Sequence, residues 1–348
     1  MVQYSDKCEC FACSIPCLDT FKIIRHNGVF QSQGKNGFED IDGKIEITED
    51  KDNHFILRVK ENAVIQRPVQ IINLFDGKTN ASHEERLEII AQKNSKVTFL
   101  YCDDVVLGKE TEVVHHINIE ADDFSDVSFY KLENVNNSTS LSSDITFNLN
   151  GDVNLRTFFI SLNGAKLVNN INVNFIKEHS SADINGLYLM DNTQSVENIV
   201  TVRHNSNSCM SNQLFKGILD DHAKAKFVGH VFVDYNAKGN DARQINNNIL
   251  LTDKAHIDTR PFLEIYNDDI KCSHGATTGR LDEGALFYLK TRGISQKRAK
   301  MLLLNAFCQG IMLKSDINEL REGLSSMIQK RLDGELNMND ALTGKIVF

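Results

Sequence analysis

Two runs of the chain decide its fold: Ile145-Thr146-Phe147-Asn148-Leu149-Asn150-Gly151-Asp152, and Gly164-Ala165-Lys166 leading into Ile171-Asn172-Val173-Asn174-Phe175. In both, apolar and polar residues alternate. On a strand, that alternation sends apolar side chains to one face and polar ones to the other. The pattern extends outward in both directions, from about Phe21 to Ile270, with Leu187 and Leu189 flanking Tyr188. Clusters such as Asn136-Asn137-Ser138, Asn150-Gly151-Asp152 and Asn205-Ser206-Asn207 break the runs every eight to fifteen residues or so. Such residues favour turns. No long helical pattern interrupts this region, which reads as all-β.

Within it, small residues recur in polar corners: Gly164-Ala165-Lys166, Ser181-Ala182-Asp183, Ser208-Cys209-Met210, His222-Ala223-Lys224 and Lys254-Ala255-His256. Ala165 to Ala182 is 17 residues and Ala223 to Ala255 is 32, about double. Near-constant spacing suits a β-helix, in which each coil stacks on the last and buries its inward face. A β-sandwich with frequent turns produces the same alternation. Periodicity alone leaves both standing.

After Gly275 the period changes to 3.6. Asp282 is placed to cap a helix over Glu283 to Arg292, with Gly293 as its left-handed stop. Ser295 opens a second helix, with Ala299, Leu302, Leu303, Ala306 and Phe307 expected on one face. Asp316-x-x-Glu319 reads as a capping box ahead of a third, whose stripe is Ile317, Leu320, Leu324, Met327 and Ile328. The expected organisation is a leader over residues 1–20, a β-helix core over 21–275 and a helical domain over 276–348.

Composition narrows the function. The 348 residues carry 38 Lys+Arg against 47 Asp+Glu, a formal net charge of -9 spread over the chain. That balance argues against non-specific nucleic-acid binding, which needs a basic footprint. No run of about eighteen apolar residues suggests a membrane span, and residues 1–6 do not resemble a secretory signal, so the expected location is cytoplasmic. Gly77-Lys78-Thr79 resembles the end of a phosphate-binding loop, but Ile72 stands where its first glycine is required. There is no Gly-x-Ser-x-Gly elbow, no His-Glu-x-x-His and no dinucleotide-binding glycine triplet. Nothing in the sequence supports an enzyme.

Half of the eight cysteines crowd the start as Cys8, Cys10, Cys13 and Cys17; Cys102, Cys209, Cys272 and Cys308 stand apart. Four thiolates suffice for zinc or an iron–sulfur cluster, but these spacings are irregular and lack downstream partners. A leader with incidental thiols is the plainer reading, a metal site the alternative. Farther on, an extended Asp269 to His274 would place Cys272 and His274 on one strand face, about 6–7 Å apart. A thiolate and an imidazole so placed reach iron only if another chain supplies further ligands. The plainer reading is a buried cysteine and a histidine that holds the β-to-α junction.

These residues also carry a resemblance. Asp268-Asp269-Ile270-Lys271-Cys272-Ser273-His274-Gly275-Ala276-Thr277, then Gly279, Leu281-Asp282 and Leu286-Phe287-Tyr288-Leu289-Lys290-Thr291-Arg292-Gly293-Ile294, closely resembles the C-terminal signature of the SufB/SufD family. Members of that family are scaffold subunits of SUF iron–sulfur cluster assembly. Gln244 to Leu251, Pro261, Glu264, and Asp19-Thr20-Phe21 with Asn27-Gly28-Val29-Phe30 fit as well. The Cys-Ser-His-Gly-Ala-Thr form is similar to the D type. B-type members have a Glu-His-Glu-Ala-Thr form here and cysteines where Asn246 and Leu289 stand.

The resemblance implies a right-handed, single-stranded parallel β-helix with a small C-terminal helical domain. It implies partners too: one B-type paralogue (SufB) paired through the β-helices, and two copies of the ABC-type ATPase SufC docked on the helical domains. His274 matches the D-type histidine at the interface where a nascent cluster forms, and Cys272 lies beside it. Iron or a cluster would be held transiently with SufB, and nothing stably by the isolated chain. Leu286, Tyr288, Arg292 and Gly293 are the implied ATPase contacts. The family's N-terminal helical region is expected to be absent or truncated, since about eighteen residues precede Asp19. Isolated, the chain is expected to pair with itself through an exposed β-helix edge. Two rivals remain: a β-helix enzyme acting on polysaccharides, and a metal carrier using Cys8, Cys10, Cys13 and Cys17.

Overall fold

Alternation along the nineteen strands of the described residues resolves into stacked coils. The computed structural model describes residues 18–31, 41, 43–49, 54–75, 82–105 and 110–332. The chain opens with β1 (Phe21–His26), β2 (Val29–Gln31), β3 (Ile45–Glu49), β4 (His54–Val59) and β5 (Val69–Phe75). There follow β6 (Ser82–Ala91), β7 (Lys96–Val105), β8 (Thr111–Ala121), β9 (Asp126–Asn134) and β10 (Thr139–Leu149). Next come β11 (Asn154–Asn163), β12 (Lys166–Phe175), β13 (Ser181–Met190), β14 (Ser195–His204) and β15 (Met210–Leu219). The last are β16 (Lys224–Val233), β17 (Asn240–Leu250), β18 (His256–Ile265) and β19 (Ile270–Gly279).

The later odd-numbered strands stack in one sheet, ending at β19, and the even-numbered ones in a second, ending at β18. Pairing is parallel throughout the stack. This is a β-solenoid of about seven turns, not a sandwich. Its repeat is read from the register: Leu155 lies beside Ala182, 27 residues on, and Ser211 beside Ala242, 31 on. The 17-residue spacing in the sequence is therefore about half a turn. The 32-residue spacing is a whole one.

One corner of each coil is turned by a left-handed residue: Asn94, Phe124, Asp152, His179, Ser208, and finally Gly239. Each sends its backbone N–H to the next coil, as Phe124 does to Gly151 O at 2.9 Å and Gly239 to Asp269 O at 2.8 Å. Asn and Asp tolerate this conformation better than other residues with a Cβ, which is why polar clusters punctuate the strands.

The two ends of the solenoid differ. At the N-terminal end, β2 folds back antiparallel on β1, and β3 on β4. Both are short, and β3 carries exposed Glu46 and Glu49. At the other end β18 and β19 are left as bare edges, with their lumen-facing side chains half-buried or exposed.

Three helices follow. Asp282 caps α1 (Glu283–Thr291), accepting from Gly284 N at 2.8 Å and Ala285 N at 3.0 Å, and Gly293 ends the turn at φ 82°. Ser295 caps α2 (Gln296–Met312). With α3 (Asn318–Leu332), α2 covers the outer face of the first sheet. Leu304, Cys308, Ile311, Leu320, Leu324 and Ile328 pack there against Leu100, Leu132, Phe158, Ile160, Leu187 and Ile218. That sheet is thus buried on both faces, whereas the second presents polar residues outward.

Two expectations are corrected. The buried line of α2 is Ala299, Leu304, Cys308, Ile311 and Met312, while Leu302 and Ala306 face solvent and Leu303 and Phe307 are half-buried. The helix is apolar on two flanks, so its period does not say which flank meets the sheet. Asp316 does not cap α3. Its carboxylate is taken by Arg156 on β11 at 2.7 Å, its N–H donates to Tyr130 Oη at 3.1 Å, and Ser315 Oγ accepts from Ile317 N instead. The stripe Ile317, Leu320, Leu324, Met327 and Ile328 is buried as expected.

The lumen is not uniformly apolar. In the N-terminal half, Arg25 pairs with Glu85 at 2.6 Å, and Lys131 is in direct contact with Glu133. Asp103 accepts from Asn73 Nδ2 at 3.0 Å, lies 3.4 Å from His115 Nε2, and is 4.0 Å from Lys131 Nζ. Tyr101 Oη meets His115 Nδ1 at 2.9 Å, and Ser161 and Asn169 donate to Glu133. All these residues are buried. Two permanent cations face three carboxylates, and burial holds His115 well below its ordinary value, hence neutral.

Candidate functional site at the open end of the solenoid

Strand parity assigns each residue of β19 to a side. The lumen-facing residues of β17 are Asn240, Ala242, Gln244, Asn246 and Asn248, all buried. Register stacks Ile270, Cys272, His274, Ala276 and Thr278 on them. Cys272 and His274 therefore share the lumen face of the terminal coil, while Lys271 and Ser273 lie on the opposite face. The facing strand, β18, brings Ile257, Thr259, Pro261, Leu263 and Ile265 over Ala225, Phe227, Gly229, Val231 and Val233.

The two candidate residues sit in different surroundings. Cys272 is half-buried against Val231, Val233, Ala237, Ala242, Leu263 and Ile270. Burial pushes its thiol up, Asp241 adds to that, and a backbone hydrogen bond from Ser273 opposes it. It is a thiol at neutral pH, and binding a soft metal would have to displace its proton. His274 is exposed above Gln244. Among the described residues no group of three or more His, Cys, Asp or Glu side chains is placed to hold a metal ion. Cys102, Cys209 and Cys308 are buried elsewhere, Cys209 with its Sγ on the carbonyls of Lys177 and Asn207. Cys8, Cys10, Cys13 and Cys17 lie outside the described residues.

Asn246, on the lumen face of β17, is a hydrogen-bonding hub. It donates to Tyr188 Oη at 3.1 Å and accepts from Asn248 Nδ2 at 2.7 Å and Thr259 Oγ1 at 3.0 Å. Tyr188 Oη in turn donates to Asn248 Oδ1 at 2.5 Å, and burial pushes its phenol up.

The other candidates cluster on α1, none of whose residues is buried. Tyr288 is 56% exposed beneath the Arg292 guanidinium, 5.2 Å from ring centre to Cζ. Leu286 is half-buried. Gly293 takes the left-handed conformation that ends the helix, and its N–H donates to Lys290 O at 3.0 Å. Sequence reasoning passed over Phe287, which is 69% exposed. An aromatic side chain off the buried stripe of an amphipathic helix was the available signal. It also passed over an aromatic flank on the outer side of β16–β18, where Tyr266 packs against Phe232 and Tyr235, with Phe262 nearby against His230. Among the described residues no helix is long and apolar enough to cross a membrane.

Residues 73–307 match the family described as SUF system FeS cluster assembly, SufBD core domain. The iron–sulfur cluster assembly protein SufD of Escherichia coli K12 is 37% identical over 173 residues, 50% of this chain and 41% of that protein. An iron–sulfur cluster assembly SufBD family protein of Mycobacterium leprae is 34% identical over 192 residues, 53% of this chain and 49% of its own. SufD of Bacillus subtilis is 24% identical over 285 residues, 79% of this chain and 63% of its own. The matching segments thus span less than two thirds of these relatives.

Proposed function

The chain belongs to the SufBD family of SUF iron–sulfur cluster assembly proteins, and we propose that within it the chain is a D-type scaffold subunit without chemistry of its own. One observation carries this reading: Cys272 and His274 face the lumen of a terminal coil that no other described residues cover. The edges of β18 and β19 offer unpaired N–H and C=O groups to a partner's strands. A B-type paralogue seated there would bring its own ligands over Cys272 and His274. Iron or a nascent cluster, as cargo, would then be shared between the chains, since one thiol and one imidazole leave its coordination incomplete. The exposed face of α1, with Phe287 and Tyr288, is the proposed seat of an ABC-type ATPase. Leu286 supports it from the helix underside, and Arg292 and Gly293 fix its end. The proposed extents are a solenoid core over 21–275 and an ATPase-docking region over 276–348, acting in the cytoplasm. Without its paralogue the chain is expected to pair with a second copy through the same edge.

The test is co-expression with SufB and SufC of the same organism, purification through this chain, and the stoichiometry of what elutes. One B subunit and two ATPases per chain are expected. With His274→Ala the complex should still form but assemble clusters poorly. A lone monomer or homodimer, with both partners expressed and soluble, overturns the scaffold reading. Unchanged cluster assembly by the His274→Ala complex removes His274 from it.

A further inference from the structure

Directly beneath His274 lies a buried amide that is incompletely used. Gln244 is 1% exposed, and its Nε2 donates to Gln213 Oε1, one coil below, at 3.2 Å. Its own carbonyl oxygen has no partner. An unpaired buried acceptor costs about 1–3 kcal/mol, and one that persists calls for a reason. The facing strand is also shaped around this amide. Gly229 sits mid-strand in β16, where a glycine weakens pairing, and a Cβ there would fall 1.4 Å from Gln244 Nε2. The neighbouring Asn246, by contrast, is satisfied at both ends of its amide.

His274 is the in-register neighbour of Gln244 on the next coil. Adjacent strands lie about 4.8 Å apart, so stacked side chains of this length meet. A neutral imidazole has one N–H and one bare nitrogen, and the bond made by the first decides which nitrogen is the second. We propose that Gln244 is a positioning residue for His274. Its free carbonyl accepts the imidazole N–H once a partner covers the open end, and this holds the ring in one tautomer with its bare nitrogen turned to the interface. In the isolated chain the exposed ring is solvated and the bond is not made. Covering the end removes that water and strengthens the bond. The inference rests on the reading that a partner covers this end, but it concerns the ring's orientation whether or not His274 serves cluster assembly.

The test uses the full chain in complex with its B-type paralogue, isotope-labelled at histidine, with the His274 signal identified by its loss in His274→Ala. Nitrogen chemical shifts report the tautomer. Wild type should show one tautomer. Gln244→Leu, which keeps the volume and loses the acceptor, should move the ratio about fivefold to tenfold toward a mixture. Gln244→Glu, which restores an acceptor, should bring back the single form. The same tautomer ratio in all three overturns the inference, as does a single tautomer in Gln244→Leu alone. If Gln244→Leu scrambles the tautomer while His274→Ala assembles clusters normally, the positioning stands and the cluster role of His274 falls. The reverse pair of results removes the positioning alone.

Discussion

Replacing Asp103 by Asn should abolish a specific part of the pH dependence of folding. Of the three buried carboxylates in the lumen, Glu85 has Arg25 at 2.6 Å and Glu133 has Lys131 in direct contact. Asp103 is left with a cation only at 4.0 Å. Burial pushes its carboxyl from an ordinary 3.8 up to about 6, against the pull of Lys131 and the Asn73 amide. The folded state therefore holds a proton that the unfolded state has released. Stability from this group is fully present below about pH 4 and is lost as pH rises through about 6. At 1.36 kcal/mol per pH unit, the loss is about 3 kcal/mol. Asn mimics the protonated acid and leaves two cations facing two carboxylates, so the variant should not suffer that loss. Urea unfolding of wild type and Asp103→Asn between pH 4 and pH 7.5 measures it. Glu85, which burial pushes up to about 7 with Asp103 adding to it, titrates in both proteins. The difference therefore holds the Asp103 loss together with the share of the Glu85 loss that Asp103 causes. The variant should gain at least about 3 kcal/mol relative to wild type across that range. Parallel curves would refute the argument and mean that the lattice accommodates all three charges.

Three further outcomes are expected. Gly217→Ala puts a Cβ 2.1 Å from the Tyr188 ring and 2.5 Å from Asn248 Oδ1, so overpacking should cost about 1–3 kcal/mol in urea unfolding. Leu324→Ala empties a fully buried site between α3 and the first sheet, and calorimetry should show about 2–5 kcal/mol of destabilisation. Replacing Phe287 and Tyr288 together by Ala removes exposed side chains only. Melting should stay within about 0.5 kcal/mol per site of wild type, while capture of the ATPase by the purified complex is lost.

The sequence made some of this legible and hid the rest for physical reasons. Alternation in Ile145–Leu149 and Ile171–Phe175 reports which side chains are buried, not which strand lies alongside. The solenoid and the sandwich therefore parted only when the register put Leu149 beside Phe175. Helix caps depend on local chemistry and were readable at Asp282 and Ser295. The Asp316 cap was not, because Arg156, 160 residues earlier in the chain, competes for the same carboxylate. The shared face of Cys272 and His274 follows from parity, whereas the amide beneath them needs the 30-residue register between β17 and β19. The lumen charges did leave a trace: Asp103, Lys131 and Glu133 occupy the buried phase of strands whose other members in that phase, Phe99, Tyr101 and Phe129, belong there.

The unequal ends of the solenoid bear on how far such molecules can associate. A stack of parallel coils with both ends bare is a monomer for a filament, since each end templates the next copy. Here the short folded-back strands β2 and β3, the latter carrying exposed Glu46 and Glu49, blunt such pairing at one end. Strand-edge pairing is thereby directed to the β18–β19 end. Edge-to-edge association between rods with such unequal ends favours closed pairs over open filaments.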